Sequence, residues 1–250
     1  MEKILKHLSN EQGKRFSLED EINKLDEKEI EKLQAEKEKQ CQNEIRKTSS
    51  YRRLAERNQA FKNIPKKFRG KTMQNLKDEY KGAEFHKAHN VFVKSVYEID
   101  NLDKGVYLYG NAGTGKTSLL SVFGQVLYDK KGKTISYLTD EDLKNEIQRT
   151  FKDDSEKTDI EVVKAIAKNQ IILLDELGQN CHEWYLKDLK VFLDEIADNE
   201  RLLFVTSNYY YEQLAERYSK ENTNPKLSEQ VVDRLVGLTT PLEIKGGSRR

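Results

Sequence analysis

Eight consecutive residues carry most of the chemistry legible in this chain: Gly110-Asn111-Ala112-Gly113-Thr114-Gly115-Lys116-Thr117, with Ser118 next in line. They fit the spacing G-x-x-x-x-G-K-[ST], the P-loop pattern. Val106-Tyr107-Leu108-Tyr109 run in as a short apolar strand, and an apolar-periodic helix starting near Leu119 and Leu120 runs out. Glycines let successive backbone N–H groups curl around phosphate oxygens, and the N-terminus of the following helix adds positive potential at the same place. Lys116 is expected to set its ammonium on the β- and γ-phosphates of a nucleotide, and Thr117 to ligate Mg²⁺ through its hydroxyl. All nine residues from Gly110 to Ser118 are therefore expected to bind a nucleotide with its Mg²⁺.

A second constellation follows. Ile171-Ile172-Leu173-Leu174 is a run of four aliphatic residues, the pattern of a strand buried on both faces of a parallel sheet, and it ends in Asp175-Glu176. Acids at the carboxyl end of such a strand lie where open α/β sheets bind ligands. Asp175 is expected to hold the metal with Thr117, and Glu176 to orient and polarise an attacking water. Leu202-Leu203-Phe204-Val205-Thr206 reads as another strand, which puts Asn208 beside the two acids as a polar group for the water or the γ-phosphate. The other reading of Asn208 is a residue that simply favours a turn.

The elements that must position these groups alternate strand and helix. A helix from Glu84 to Asp100 precedes the first strand, Gly105 to Tyr109. A second strand, Thr134 to Leu138, leads into the N-cap signature Thr139-Asp140-Glu141-Asp142. A charged loop at 152–158 and a short helix then lead to the aliphatic strand. Helices at Tyr211–Tyr218 and Leu227–Leu235 and a last strand at Leu242–Ile244 close the pattern. The expected fold class is α/β: a three-layer P-loop NTPase with a parallel central sheet, preceded by a charged helical N-terminal segment.

Three regions differ in composition: a charged helical segment over 1–48 expected to dock a partner, a basic linker over 49–82, and an ATPase domain over 83–250. The first fifty residues hold 11 Lys+Arg and 12 Asp+Glu, with Leu18, Ile22, Leu25, Ile30 and Leu33 on a narrow helical stripe. A helix docking on another protein and a solvated helix touching little both fit. Ser49 to Gly82 holds ten Lys+Arg against three Asp+Glu, interleaved with Tyr51, Phe61, Phe68 and Tyr80. That pattern suits contact with nucleic-acid phosphates and bases, and equally aromatics that dock on the next domain.

Hydrophobic residues make up 36% and charged residues 35% of the chain, and the net charge of +1 points to no class of partner. Cys41 and Cys181 form no C-x-x-C pair, so neither a cysteine-rich zinc site nor a disulfide framework is expected, and a reducing cytoplasm is. No apolar run approaches a membrane span, so no membrane partner is expected. His86 and His89 lack the matching ligands of a metal site, and Cys181-His182 are adjacent in sequence, which seldom gives catalytic geometry.

Several segments together carry a family likeness: Asn63-Ile64-Pro65-Lys66-Lys67-Phe68, the strand and P-loop from Gly105 to Thr117, Leu173-Leu174-Asp175-Glu176-Leu177-Gly178, Val205-Thr206-Ser207-Asn208-Tyr209 and Val231-Val232-Asp233-Arg234-Leu235. Over residues 51–250 the chain resembles the bacterial replicative-helicase loader ATPases of the DnaC/DnaI type in the AAA+ superfamily, with IstB-like proteins as close relatives. The resemblance implies an ATP-dependent switch that binds a hexameric replicative helicase and single-stranded DNA, with weak, partner-stimulated ATP hydrolysis. It also implies self-assembly through a trans arginine finger, matched here by Arg234, whose other reading is a surface ion pair. Gly246-Gly247-Ser248-Arg249-Arg250 matches the family's Gly-x-Ser-x-Arg ending, which favours Arg250, with Arg249 as the alternative, as a sensor of nucleotide in its own subunit. Position 230 is Gln where such loaders often carry an arginine, and the N-terminal segment lacks the zinc-binding cysteines of some relatives. An IstB-type transposition helper and an ATP-gated adaptor with little turnover are the other functions this likeness admits.

Overall fold

The structure, a computed structural model, describes residues 35, 36, 39, 52, 54–151, 158–221 and 224–246. The chain divides into two compact units, Met1–Ala55 and Glu56–Arg250. Apart from residues 35, 36 and 39, the expected N-terminal docking segment lies outside the described residues, as do Cys41, Tyr51, the 247–250 tail with Arg249 and Arg250, and positions 152–157 of the charged loop.

The larger unit is built on five parallel strands, β1 (Gly105–Tyr109), β2 (Ile135–Thr139), β3 (Ile171–Leu177), β4 (Leu202–Ser207) and β5 (Thr239–Glu243), in the order β2-β3-β4-β1-β5. Alternation along the strands feeds two cores. Tyr107, Ile172, Leu174, Leu203 and Val205 face α4 (Asp140–Gln148), α5 (Asp159–Ala167), α6 (Glu183–Asp198), α7 (Tyr211–Lys220) and α8 (Pro225–Leu238). Val106, Leu108, Ile171, Leu173 and Phe204 face α1 (Met73–Glu79), α2 (Ala83–Glu98) and α3 (Lys116–Lys131). The three-layer α/β architecture expected from the strand–helix alternation is the one observed.

Several of the expected boundaries move. β2 extends to Thr139, whose hydroxyl accepts the Asp142 N–H at 3.0 Å while the Asp142 carboxylate accepts the Thr139 N–H, so one residue ends the strand and caps α4. α2 starts at Ala83 and stops at Glu98. The last strand is not Leu242–Ile244 but Thr239–Glu243, in register with all of β1 from Gly105↔Thr239 to Tyr109↔Glu243. Pro241 disguises it in the sequence, yet it is tolerated because β5 is an edge strand whose second side needs no N–H.

The basic stretch before Ala83 is built into this unit. Phe61, Ile64, Phe68 and Leu76 are all buried in the same core as α2 and α3, and Tyr80 stacks on Phe85 with ring centroids 4.3 Å apart. Arg57 grips Asp129 at the end of α3 through two hydrogen bonds of 2.9 and 3.0 Å. Arg69 turns back onto the carbonyls of Ile64 and Lys62. Of the two uses open to these aromatics, packing on the adjacent fold is what Phe61, Phe68 and Tyr80 do.

Candidate functional site

β1 and β3 are separated in the sheet by β4, so the turns leaving their carboxyl ends diverge and open a cleft at that edge. The P-loop leaves β1, Asp175 and Glu176 close β3, and Asn208 follows β4. These three segments and part of the stretch before Ala83 line a cleft of about 500 Å³.

The loop curls because Gly110, Gly113 and Gly115 all adopt positive φ, 143°, 84° and 98°. Gly115 is also held by space: a Cβ there would lie 2.7 Å from Tyr80 Cε1 and 2.8 Å from Phe85 Cε2. Any side chain larger than hydrogen meets two stacked rings. Lys116, only 7% exposed, folds back onto the loop it follows. Its Nζ donates to the carbonyls of Gly110 at 2.7 Å and Asn111 at 2.9 Å and to Asn208 Oδ1 at 3.0 Å. Burial lowers its pKa to about 8, against the opposing pull of Asp175 and Glu176. Thr114 donates to the Asn111 carbonyl at 3.0 Å and braces the turn.

Thr117 and Asp175 meet, the hydroxyl donating to Asp175 Oδ1 at 3.1 Å. Two further hydroxyls hold the same carboxylate, Tyr137 to Oδ2 at 2.8 Å and Thr206 to Oδ1. Asp175 is 1% exposed, and burial pushes its pKa up while the three hydroxyls pull it back. A hydroxyl beside a carboxylate is an oxygen donor set that suits a hard divalent cation such as Mg²⁺.

Glu176 is exposed and reaches the same cleft. Its φ of 59° is left-handed, uncommon for a non-glycine residue, and coincides with a register shift between Leu174 and Leu177 in the β3–β4 pairing. The backbone N–H of Glu176 donates to Thr206 Oγ1 at 2.9 Å, so one threonine fixes both acids of the pair. Asn208 sits in the cleft mouth, its Oδ1 taken by Lys116. Ser118, buried, pairs its hydroxyl with Tyr80 OH at 2.7 Å. Every expected site residue from Gly110 to Ser118, with Asp175, Glu176 and Asn208, thus gathers at this edge of the sheet.

Arg234 does not. It lies exposed on α8 with its Nε paired to Asp194 on α6, and it contributes nothing to the cleft. Asp194 raises the Arg234 pKa further above its usual value.

Sequence reasoning passed over Tyr137, Thr206 and Tyr80. Thr206 stands inside a quoted motif, but only the β3–β4 pairing shows that its hydroxyl faces Asp175. Tyr137 needed the β2–β3 register, and Tyr80 needed the fold of the basic stretch over the P-loop. His89 and His86 serve local structure, their Nε2 atoms bonded to the carbonyls of Met73 and Lys77. Cys181 is buried, and the His182 ring stacks on Trp184.

The model of the IstB-like ATP binding protein family matches residues 23–250. The chain belongs to that family. Among curated relatives, the replicative helicase loader DnaI of Bacillus subtilis is 23% identical over 164 residues, covering 64% of this chain and 51% of the relative. The replicative helicase loader DnaC of Buchnera aphidicola is 27% identical over 158 residues, covering 60% of this chain and 59% of the relative. These matches span little more than half of each relative. The crystal structure of DnaI superposes with a TM-score of 0.60 at 23% identity, covering 75% of this chain and 95% of that one, which shows a shared fold. The family likeness drawn from the motifs is therefore borne out, on both its loader-like and its IstB-like sides. Among the described residues no helix is long and apolar enough to cross a membrane.

Proposed function

We propose that this protein is an ATP-hydrolysing switch of the helicase-loader type, acting in the cytoplasm on a hexameric replicative helicase and single-stranded DNA. The observation that carries the chemical half is the contact of the Thr117 hydroxyl with Asp175 Oδ1, made beside a Lys116 held by exchangeable carbonyls. Thr117 and Asp175 would hold Mg²⁺, which would draw charge from the phosphates. Lys116 trades the Gly110 and Asn111 carbonyls for phosphate oxygens. Glu176 accepts the proton of the attacking water, and Asn208 steadies that water or the γ-phosphate. The partner half is supported by what the relatives DnaI and DnaC are named for, replicative helicase loading.

Lys116→Ala tests the chemistry: Mg-ATP affinity should fall by roughly a hundredfold, the size of a lost charge-assisted hydrogen-bond set. Unchanged affinity refutes the site. Glu176→Gln should bind normally and lose roughly 10²–10⁴ in turnover. Full function with Glu176→Gln would instead favour an adaptor that needs no hydrolysis. Size exclusion with a replicative helicase and ATP tests the partner, and the absence of any complex refutes it.

A second reading, an IstB-type transposition helper, is favoured by the family model that matches from residue 23 onward. It predicts assembly on duplex DNA in preference to single strands, which a binding titration with both decides.

A further inference from the structure

The loop that follows the acid pair is fixed more firmly than a connection between β3 and α6 requires. Asp140, fully buried at the start of α4, accepts the backbone N–H groups of Gln179 and Asn180 on its Oδ2, each at 2.9 Å. The Asn180 side-chain amide adds a third donor to Oδ2 at 3.3 Å, and the Tyr185 hydroxyl donates to Oδ1. From the other side Arg217 Nε on α7 donates to the Gly178 carbonyl at 2.7 Å, while its guanidinium lies over the Tyr209 ring. Gly178 itself has φ 100°, and a Cβ there would lie 2.7 Å from Leu214 Cδ1, so the turn accepts no other residue without strain. Ser207 completes the seam by donating to the Leu177 carbonyl at 2.7 Å while accepting the Tyr209 N–H at 3.1 Å.

This clasp leaves one side chain of the loop turned back toward the site. Gln179 Nε2 donates to Glu176 Oε2 at 2.8 Å. Glu176 is itself at a left-handed φ of 59°, with its N–H spent on Thr206. Its main chain is therefore set from one side and its carboxylate from the other. We infer that Gln179 is a positioning residue that aims the Glu176 carboxylate, and that Asp140 is the buried anchor that fixes Gln179. The inference rests on the proposed hydrolytic role of Glu176.

The residue type suits the task. A neutral amide occupies one carboxylate oxygen without cancelling its charge, and leaves Oε1 to accept the proton of a water. A lysine in the same place would compete for that charge, and an alanine would leave an exposed carboxylate to sample its rotamers. Positioning of this kind acts on the turnover step and not on phosphate binding, because Gln179 itself lies outside the nucleotide cleft.

The test uses the full chain with two variants at an exposed position, Gln179→Ala and Gln179→Glu, the second isosteric with glutamine but unable to donate. Both should keep wild-type Mg-ATP affinity, Gln179→Ala should lower kcat about tenfold, and Gln179→Glu should lower it further. In a Glu176→Asp background, whose shorter carboxylate stops short of the amide, Gln179→Ala should cost nothing more. A Gln179→Glu protein as active as wild type, or an equal loss from Gln179→Ala in both backgrounds, overturns the inference. A readout without turnover separates it from the hydrolytic reading: the side-chain ¹⁵N amide pair of Gln179, assigned by its loss in Gln179→Ala, should move in Glu176→Ala. An amide pair indifferent to Glu176→Ala overturns the inference, whereas wild-type turnover no greater than that of Glu176→Gln overturns the hydrolytic reading alone.

Discussion

Lys116 and Asp175 lie close enough to influence each other's charge, and both are buried further than a charge prefers. For Lys116 the consequence is a pH dependence with a defined sign. Burial has lowered its pKa to about 8, so above that pH the free protein carries a neutral amine that must take up a proton to meet a phosphate. Mg-ATP affinity should be level up to about pH 7 and then fall, approaching tenfold per pH unit once the free lysine is neutral. Calorimetry in buffers of different ionisation enthalpy should register proton uptake in the falling range. An affinity constant to about pH 9 would contradict the burial of this ammonium. For Asp175 the sign is opposite in charge but alike in cost. Its raised pKa means that the folded state holds the proton more tightly than the unfolded chain, so the carboxylate form costs stability at neutral pH. That stability is present at low pH and lost as pH rises through the folded pKa. Asp175→Asn should therefore raise the Tm of the nucleotide-free protein while weakening the dependence of ATP binding on Mg²⁺. A Tm that falls would show that the three hydroxyls contribute more than burial takes away.

At the scale of elements, the interesting piece is the basic stretch from Phe61 to Tyr80. It packs into the same core as α2 and α3, and its Tyr80, stacked on Phe85 of α2, walls off Gly115 of the P-loop. Its lysines remain outside, Lys66 and Lys67 exposed at the short turn that ends in the buried Phe68. Packing and surface charge are thus divided between alternate residues of one short segment. Leu76→Ala, at a fully buried position in α1, should destabilise the fold by about 2–5 kcal/mol, as other large-to-small core changes do. A chain lacking residues 1–55 should retain a cooperative melt, and one lacking residues 1–82 should not, because the latter strips Phe61, Ile64, Phe68 and Leu76 from the core. Cooperative melting of the shorter chain would return this stretch to the status of a linker.

For the molecule as a whole, the cleft is lined by Lys116, Thr117, Glu176 and Asn208, and among the described residues no arginine lines it. Arg234 is elsewhere, on the α8 surface and tied to Asp194. The resemblance implies self-assembly through a trans arginine, and we propose that Arg234 takes that part by leaving Asp194 for the nucleotide of a neighbouring copy. Arg234→Ala should keep Mg-ATP affinity and lose the rise of specific activity with protein concentration or with added partner. Asp194→Asn, which releases the guanidinium, should reach the same activity at lower concentration. Equal concentration dependence in wild type and Arg234→Ala would remove this arginine from the assembly.

Local chemistry determined a good deal in advance. The P-loop, the aliphatic strand ending in Asp175-Glu176 and the Thr139 cap are each written in a few adjacent residues, because phosphate cradles, buried parallel strands and capping boxes depend on nearest-neighbour spacing. So the three-layer fold, most of its elements and the grouping of Gly110–Ser118 with the two acids could be read from the chain alone. What required the tertiary structure was every contact that crosses strands or layers. Pairing of β3 with β4 turned Thr206 onto both acids, and pairing with β2 brought up Tyr137. Edge position made a strand of Thr239–Glu243 despite its proline, and burial against α2 and α3 made core of a segment whose composition suggested a linker. The side of the sheet to which a residue turns, and how deeply it is then covered, are settled by partners far away in sequence.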